Sequence, residues 1–227
     1  MHAMILAAGR GERMRPLTDT QPKPLLEVGG KSLIQYHVEA LARAGIKDVV
    51  INLAWHGELI RRALGTGERF GVQICYSDEP ENALETGGGI LAALPMLGSG
   101  PFLVVSADIW SEFPLASCID RLASADVAHF VLVPNPAFHA QGDFGLEEGR
   151  LADRAPRYTY ANIGVLRPEF FAERQPGRFA LAPLMFEWVR QGRVSGELFR
   201  GRWHNLGTPA QLAQLDAELR ASPQSSS

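Results

Sequence analysis

The sequence predicts an α/β protein with a doubly wound, mostly parallel, Rossmann-like sheet flanked by helices. Short apolar runs at residues 4–7, 49–53, 72–76 and 102–105 have the length and composition of strands buried on both faces. Segments with apolar residues at helical spacing separate them, and strand–helix alternation of this kind closes into a parallel sheet. The first run empties into a loop rich in glycine and arginine, at the carboxyl edge where such sheets bind their ligands.

Composition sets the outer bounds. A chain of 227 residues, 46% hydrophobic and 21% charged, has enough length for one sizeable core. One domain is expected over 1–221, with the polar tail at 222–227 disordered. A net charge of -3 supplies no basic field, so nucleic acid is not an expected partner and any anion site must be local. Cys75 and Cys118 lie far apart without ligand spacing, which argues against a metal cage or disulfide framework and for a reducing compartment. The first apolar run is too short for a signal or membrane segment, so a cytoplasmic protein with no membrane partner is expected.

In chain order, the first strand leads into Gly9, Arg10, Gly11, Arg13 and Arg15. The glycines let the backbone approach a ligand, consecutive N–H groups form an anion nest, and the arginines add forked positive charge. Lys23 stands between Pro22 and Pro24, which stiffen the backbone around a compact ammonium. These features describe a polyphosphate site. It is not a dinucleotide fingerprint, because Met14 occupies the third glycine position and Asn52 stands where an acidic residue should close the second strand. Nor is it a Walker loop, since no Gly-Lys-Ser/Thr follows.

Ser32 and Gln35 have the spacing of a capping box that opens a helix, with Leu33, Ile34, His37, Val38 and Leu41 on one face and Gly45 at its end. On that face His37 is expected to pack rather than react. Residues 58–64, closed by Gly65, form the next helix. Gly87, Gly88 and Gly89 are expected to form a loop opening N–H groups to a ligand ahead of a helix to Leu94, with Thr86 either capping or touching the ligand. The strand at 102–105 releases Asp108, whose carboxylate is placed to hold Mg²⁺, and Pro114 sets the next helix too far on for Asp108 to cap it. Beyond it the pattern predicts a strand at 127–133, a loop at 135–143, and a hairpin over 144–151 turning at Glu148-Gly149. A strand at 158–166 bearing Asn162 follows, then a helix to Arg190 with Pro183 in its first turn and Trp188 in the core. Late strands at 194–199 and 202–205 around Gly201 precede a last helix capped by Thr208 and Gln211.

Gly9, Gly11, Arg13 and Pro16, followed by Pro22-Lys23-Pro24, stand in the places of a Gly-x-Gly-x-Arg-x-x-Pro and Pro-Lys-Pro signature. In this the chain resembles the sugar-1-phosphate nucleotidyltransferases, the pyrophosphorylases that make nucleotide sugars. Leu84-Glu85-Thr86-Gly87-Gly88-Gly89 resembles that family's Leu-Gly-Thr-Ala/Gly-Gly, and Asp108 after Ala107 resembles its metal-binding Gly-Asp. The likeness spans nearly the whole chain. It is greatest to the short uridylyltransferases acting on N-acetylmuramic acid 1-phosphate, which share Leu-Glu-Thr-Gly-Gly-Gly, Gly142-Asp143-Phe144 and Val194-Ser195-Gly196-Glu197. No hexapeptide repeat follows, so no acetyltransferase β-helix domain is expected. One departure stands out: Trp203-His204-Asn205-Leu206-Gly207-Thr208 carries Asn where many relatives carry Asp, and an amide oxygen is a weaker Mg²⁺ ligand than a carboxylate.

The resemblance implies a nucleotide-diphospho-sugar transferase fold. The implied reaction joins UTP and N-acetylmuramic acid 1-phosphate into a nucleotide sugar and pyrophosphate, as in peptidoglycan recycling for the cell wall. It implies nucleotide contacts at Ala7, Ala8, Gly9, Gly11, Glu12, Arg13, Lys23, Thr86, Gly87 and Ser106, with Arg13 and Lys23 catalytic. Sugar contacts are implied at Glu85, Gly142, Asp143 and Asn162, and Mg²⁺ as cofactor at Asp108 and Asn205. From its position alone Asp143 would as readily bond its own loop. The attacking phosphate oxygen is already anionic, so the work lies in bringing two polyanions together and holding an in-line transition state. Two alternatives stay open at this point: a guanylyl or cytidylyl transferase acting on another sugar phosphate or phosphocholine, and a non-catalytic subunit that senses a nucleotide sugar.

Overall fold

The computed structural model describes residues 1–80 and 84–221, and the tail at 222–227 lies outside the described residues. The first half comprises β1 (His2–Leu6), β2 (Glu27–Val28), β3 (Lys31–Ser32), α1 (Leu33–Arg43), β4 (Asp48–Leu53), α2 (Gly57–Leu64), β5 (Gln73–Asp78), α3 (Glu85–Leu97), β6 (Phe102–Ser106) and β7 (Ile109–Ser111). The second comprises β8 (Ala128–Val133), β9 (Phe144–Glu147), β10 (Arg150–Ala152), β11 (Arg157–Leu166), α4 (Leu181–Arg190), β12 (Val194–Leu198), β13 (Trp203–Asn205) and α5 (Pro209–Ala221).

One nine-stranded sheet runs in the order β5-β4-β1-β6-β11-β8-β12-β10-β9. Strands β5, β4, β1 and β6 are parallel, and β11 joins them antiparallel, so the doubly wound sheet is mixed in its second half. The strands are apolar on both faces because helices cover both. Ala3 and Ile5 face the core under α1 and α2, whereas Met4 faces the core under α3 and α4. The Glu148-Gly149 turn has φ of 47° and 77°, both positive, as a two-residue hairpin matching strand twist demands.

Three local expectations change. Ser32 precedes α1 but makes no capping bond, because it closes the β2–β3 hairpin opposite Glu27; Gln35 instead donates to Glu39 at 2.8 Å. The three glycines at 87–89 lie inside α3, which begins at Glu85, and do not form a loop. A Cβ at Gly87 would strike the Phe179 ring, one at Gly88 the Gly177 carbonyl, and one at Gly89 the Glu79 carboxylate and Asn52 amide. Close approach, at roughly 1 kcal/mol of helix propensity per glycine, is therefore what they supply. Finally, the strands on either side of Gly201 part company: β12 joins the main sheet beside β8, and β13 pairs with β7 in a separate ribbon.

A small third core of Met14, Leu26, Val28, Leu33, Trp110, Leu206 and Leu215 ties α5 to the glycine-arginine loop. Thr208 caps α5 as expected, its hydroxyl accepting from Gln211 N–H at 3.4 Å, while Gln211 Oε1 accepts from Gly207 N–H at 2.8 Å. Trp188 is half-buried, with its indole N–H donating to the Phe170 carbonyl at 2.9 Å. No described helix is long and apolar enough to cross a membrane.

His37 is buried between α1 and β7, where its Nε2–H donates to the Ile109 carbonyl at 2.9 Å. Burial pushes the imidazole down from 6.5 to about 4. Since the folded state resists a proton that the unfolded chain accepts, stability is present above the unfolded value and is lost as pH falls toward the folded one, by up to roughly 3 kcal/mol. Urea unfolding of wild type and His37→Gln from neutral pH to about pH 4 should show the wild type losing stability more steeply. Parallel pH slopes would contradict this account.

Candidate active site

The site begins with strand register. Leu6 of β1 lies opposite Asn52 of β4 on one side and Ser106 of β6 on the other, so three parallel strands end at one level. The loops they release enclose a cleft of about 600 Å³, lined by Ala7, Ala8, Gly9, Arg10, Gly11, Glu12, Arg13, Lys23, Glu85, Thr86, Ser106 and Asp108, together with Asn52, Glu79 and Gly207.

Gly11 is left-handed at φ 64°, and its carbonyl accepts from the Thr18 hydroxyl at 2.8 Å. A Cβ there would press on both Lys23 and Thr18 at 3.1 Å, so glycine lets the Lys23 stem pass against the loop. Lys23 is buried, and its Nζ sits 3.0 Å from Asp108 Oδ2. A buried ammonium needs such a partner. The arginines separate. Arg13 packs its guanidinium beside Gly207, Arg10 stacks on Trp55 at 4.3 Å, and Arg15 turns out of the cleft to pair with Asp19 at 3.3 Å.

A relay that sequence reasoning missed braces this loop. Ala7 N–H donates to Asn52 Oδ1 at 2.8 Å, Asn52 Nδ2 donates to Glu79 Oε1 at 2.6 Å, and Leu84 N–H donates to Glu79 Oε2 at 2.7 Å. The detectable signal was a lone amide inside the apolar run 49–53. Glu85 stands at the cleft rim with φ 60° and pairs with Arg178 at 3.1 Å. A non-glycine residue held left-handed costs about 1 kcal/mol, and glycine is what the resembled motif carries there. Thr86 is exposed on the cleft, but Gly87 is buried against Phe179 and does not line it.

The remaining candidates surround a second cavity of about 310 Å³, lined by Asp143, Asn162 and Asn205 with His139 and several aromatic side chains. Asp143 Oδ2 accepts Tyr160 N–H at 2.7 Å, and its Oδ1 is 3.0 Å from His139 Nε2, so its carboxylate is held by its own surroundings. Asn162 is left-handed at φ 59° within the irregularity of β11. Gly142 does not reach the cavity; it turns the chain at φ 63° where a Cβ would meet the Asn135 amide at 2.6 Å.

The β7–β13 ribbon joins the two spaces. Asn205 pairs with Ile109, and Leu206 N–H donates to the Asp108 carbonyl at 2.9 Å. Among the described residues no three His, Cys, Asp or Glu side chains gather into a cage. Mg²⁺ requires none, since one or two protein oxygens plus substrate phosphates complete its octahedron. Asn205 Oδ1 is buried without a hydrogen-bond partner among the described residues, an orphaned acceptor that fits a role as a neutral second donor beside Asp108.

Asn52→Ala should strand the buried Ala7 N–H and free Glu79, destabilising the protein by about 2 kcal/mol and weakening ligand binding in the cleft. Denaturant unfolding with and without nucleotide measures both. Unchanged stability would remove the relay from this account.

A nucleotidyl transferase family model matches residues 2–148. Across 96% of this chain and 97% of its own length, a Neisseria meningitidis serogroup B protein named N-acetylmuramate alpha-1-phosphate uridylyltransferase is 46% identical. A Caulobacter vibrioides protein of the same name is 38% identical over 96% of each chain. Among solved structures, a glucose-1-phosphate thymidylyltransferase from Bacillus anthracis superposes with a TM-score of 0.86 at 20% identity, covering 100% of this chain and 98% of that one. UDP-glucose pyrophosphorylase complexed with UDP-glucose superposes at 0.78, also at 20% identity, covering 96% and 97%. Those two likenesses concern the fold alone. The family match covers the strand ends, the glycine-arginine loop and the Lys23–Asp108 pair together, and the chain belongs to the nucleotidyl transferase family.

Proposed function

We propose that this protein transfers a uridylyl group from UTP to N-acetylmuramic acid 1-phosphate, releasing pyrophosphate, in the cytoplasm as part of peptidoglycan recycling. The observation that carries the reading is the cleft where the glycine-arginine loop, Lys23 and Asp108 converge at the strand ends. The names of the two nearly full-length relatives support the choice of nucleotide and sugar. Cys75 and Cys118, both free thiols, suit a reducing compartment.

In this reading an oxygen of the sugar phosphate attacks the α-phosphorus of UTP, and the bond from that phosphorus to the β-phosphate bridging oxygen breaks. No proton need move. The loop N–H groups at Gly9 and Gly11 and the Arg13 guanidinium hold the leaving pyrophosphate. Lys23 gives its ammonium to the α-phosphate and the incoming phosphate, offsetting the repulsion between two polyanions. Asp108 would hold Mg²⁺ with Asn205 as a neutral donor, and the ion, when bound, would neutralise charge on the α-phosphate. Thr86, Glu85 and Ser106 line the same cleft and are assigned to nucleotide and sugar hydroxyls.

A screen of four NTPs against a panel of sugar 1-phosphates, read by pyrophosphate release, tests the assignment; preference for another NTP or sugar would replace it. Lys23→Ala should lower kcat by about two to three orders of magnitude while the protein stays folded. Asp108→Ala should abolish Mg²⁺-dependent turnover, whereas Asn205→Asp should lower the Mg²⁺ needed for half-maximal rate. An unchanged metal titration in Asn205→Asp would remove Asn205 from the metal site.

A further inference from the structure

The second cavity contains a group that the mechanism leaves unused. His139 ends a short turn, Ala137–His139, between β8 and β9, and its side chain is 40% exposed at the cavity wall. Its Nε2 is 3.0 Å from Asp143 Oδ1, and Asp143 is itself anchored through Oδ2 by Tyr160 N–H. An anchored carboxylate at Nε2 fixes the ring's orientation and favours a proton on that nitrogen. No other hydrogen bond to the ring is found among the described residues, so Nδ1 has no protein partner there.

Resting on the proposed uridylyl transfer, we infer that His139 is a specificity-determining residue that binds the carboxylate of an acidic sugar 1-phosphate. Among the described residues that line this cavity, His139 is the one side chain able to carry positive charge. A plain hexose 1-phosphate presents hydroxyls there, for which the Asn162 amide suffices, and a basic group would be surplus. The rest of the lining agrees. Phe138 is 56% exposed beside His139, and Phe144 stacks with Phe186 at 4.6 Å. An exposed aromatic and an apolar wall at a polar sugar site suit a ligand that brings methyl groups. N-acetylmuramic acid 1-phosphate brings an acetyl methyl, a lactyl methyl and the lactyl carboxylate. N-acetylglucosamine 1-phosphate lacks only the lactyl ether, so the two sugars isolate the contact.

The test is steady-state kinetics of wild type, His139→Gln and His139→Arg with UTP and each of these two sugar phosphates. A neutral amide in place of the imidazole should raise KM for N-acetylmuramic acid 1-phosphate about tenfold to a hundredfold, the usual loss of a charge-assisted hydrogen bond. With that sugar kcat should change little, and kinetics with N-acetylglucosamine 1-phosphate should be unaltered. His139→Arg, which supplies a permanent cation, should recover much of the loss. Equal losses on both sugars would show a merely structural role and overturn the inference, as would an unchanged KM in His139→Gln. Turnover of neither sugar by the wild type would instead overturn the uridylyl transfer itself, and this inference with it.

Discussion

Everything at the site depends on the register that sets Leu6 opposite both Asn52 and Ser106. Because β1, β4 and β6 are parallel and covered on both faces, their ends emerge at one edge, and the loops after them must share one space. Where the ladder stops, backbone groups lose their partners. Asn52 supplies the missing acceptor for Ala7, and through Glu79 it fixes the start of α3 as well. A slip of one residue in β4 would turn Asn52 to the other face and leave the loop unbraced.

On that frame the chemistry is electrostatic. In the proposed reading a protein of net charge -3 would attract polyphosphates through local features, namely the Gly9–Gly11 loop, Arg13 and the buried Lys23 that line one cleft. Lys23 and Asp108, separated by 85 residues in sequence, meet at 3.0 Å because the loop after β1 and the end of β6 lie side by side. The pair gives a buried ammonium its counter-charge and keeps a carboxylate at the cleft.

The second cavity is built differently. Its residues come from β11, the turn before β9, and the β13 strand that α5 pins through the Met14, Leu206 and Leu215 core. Polar groups there are oriented by neighbours rather than by a signature loop: Asp143 by Tyr160, His139 by Asp143, Asn162 by the irregularity in β11.

The sequence by itself determined the buried strands, the helix faces, the hairpin turn at Glu148-Gly149 and the loop of Gly9, Gly11 and Arg13, because periodicity and positive-φ demands are local properties. Legible too was the position of Asp108 just past the end of its strand, since an apolar run marks where a buried strand stops. Only the tertiary structure decided what the glycines of α3 are for: locally they suggest a loop, but contact with Gly177, Phe179, Glu79 and Asn52 overrides propensity. The same holds for Arg15, drawn away from the cleft by Asp19, and for the Asn52–Glu79 relay, whose members are distant in sequence. Which way a side chain turns is set by the partner it finds. Periodicity cannot name that partner when it lies on another strand.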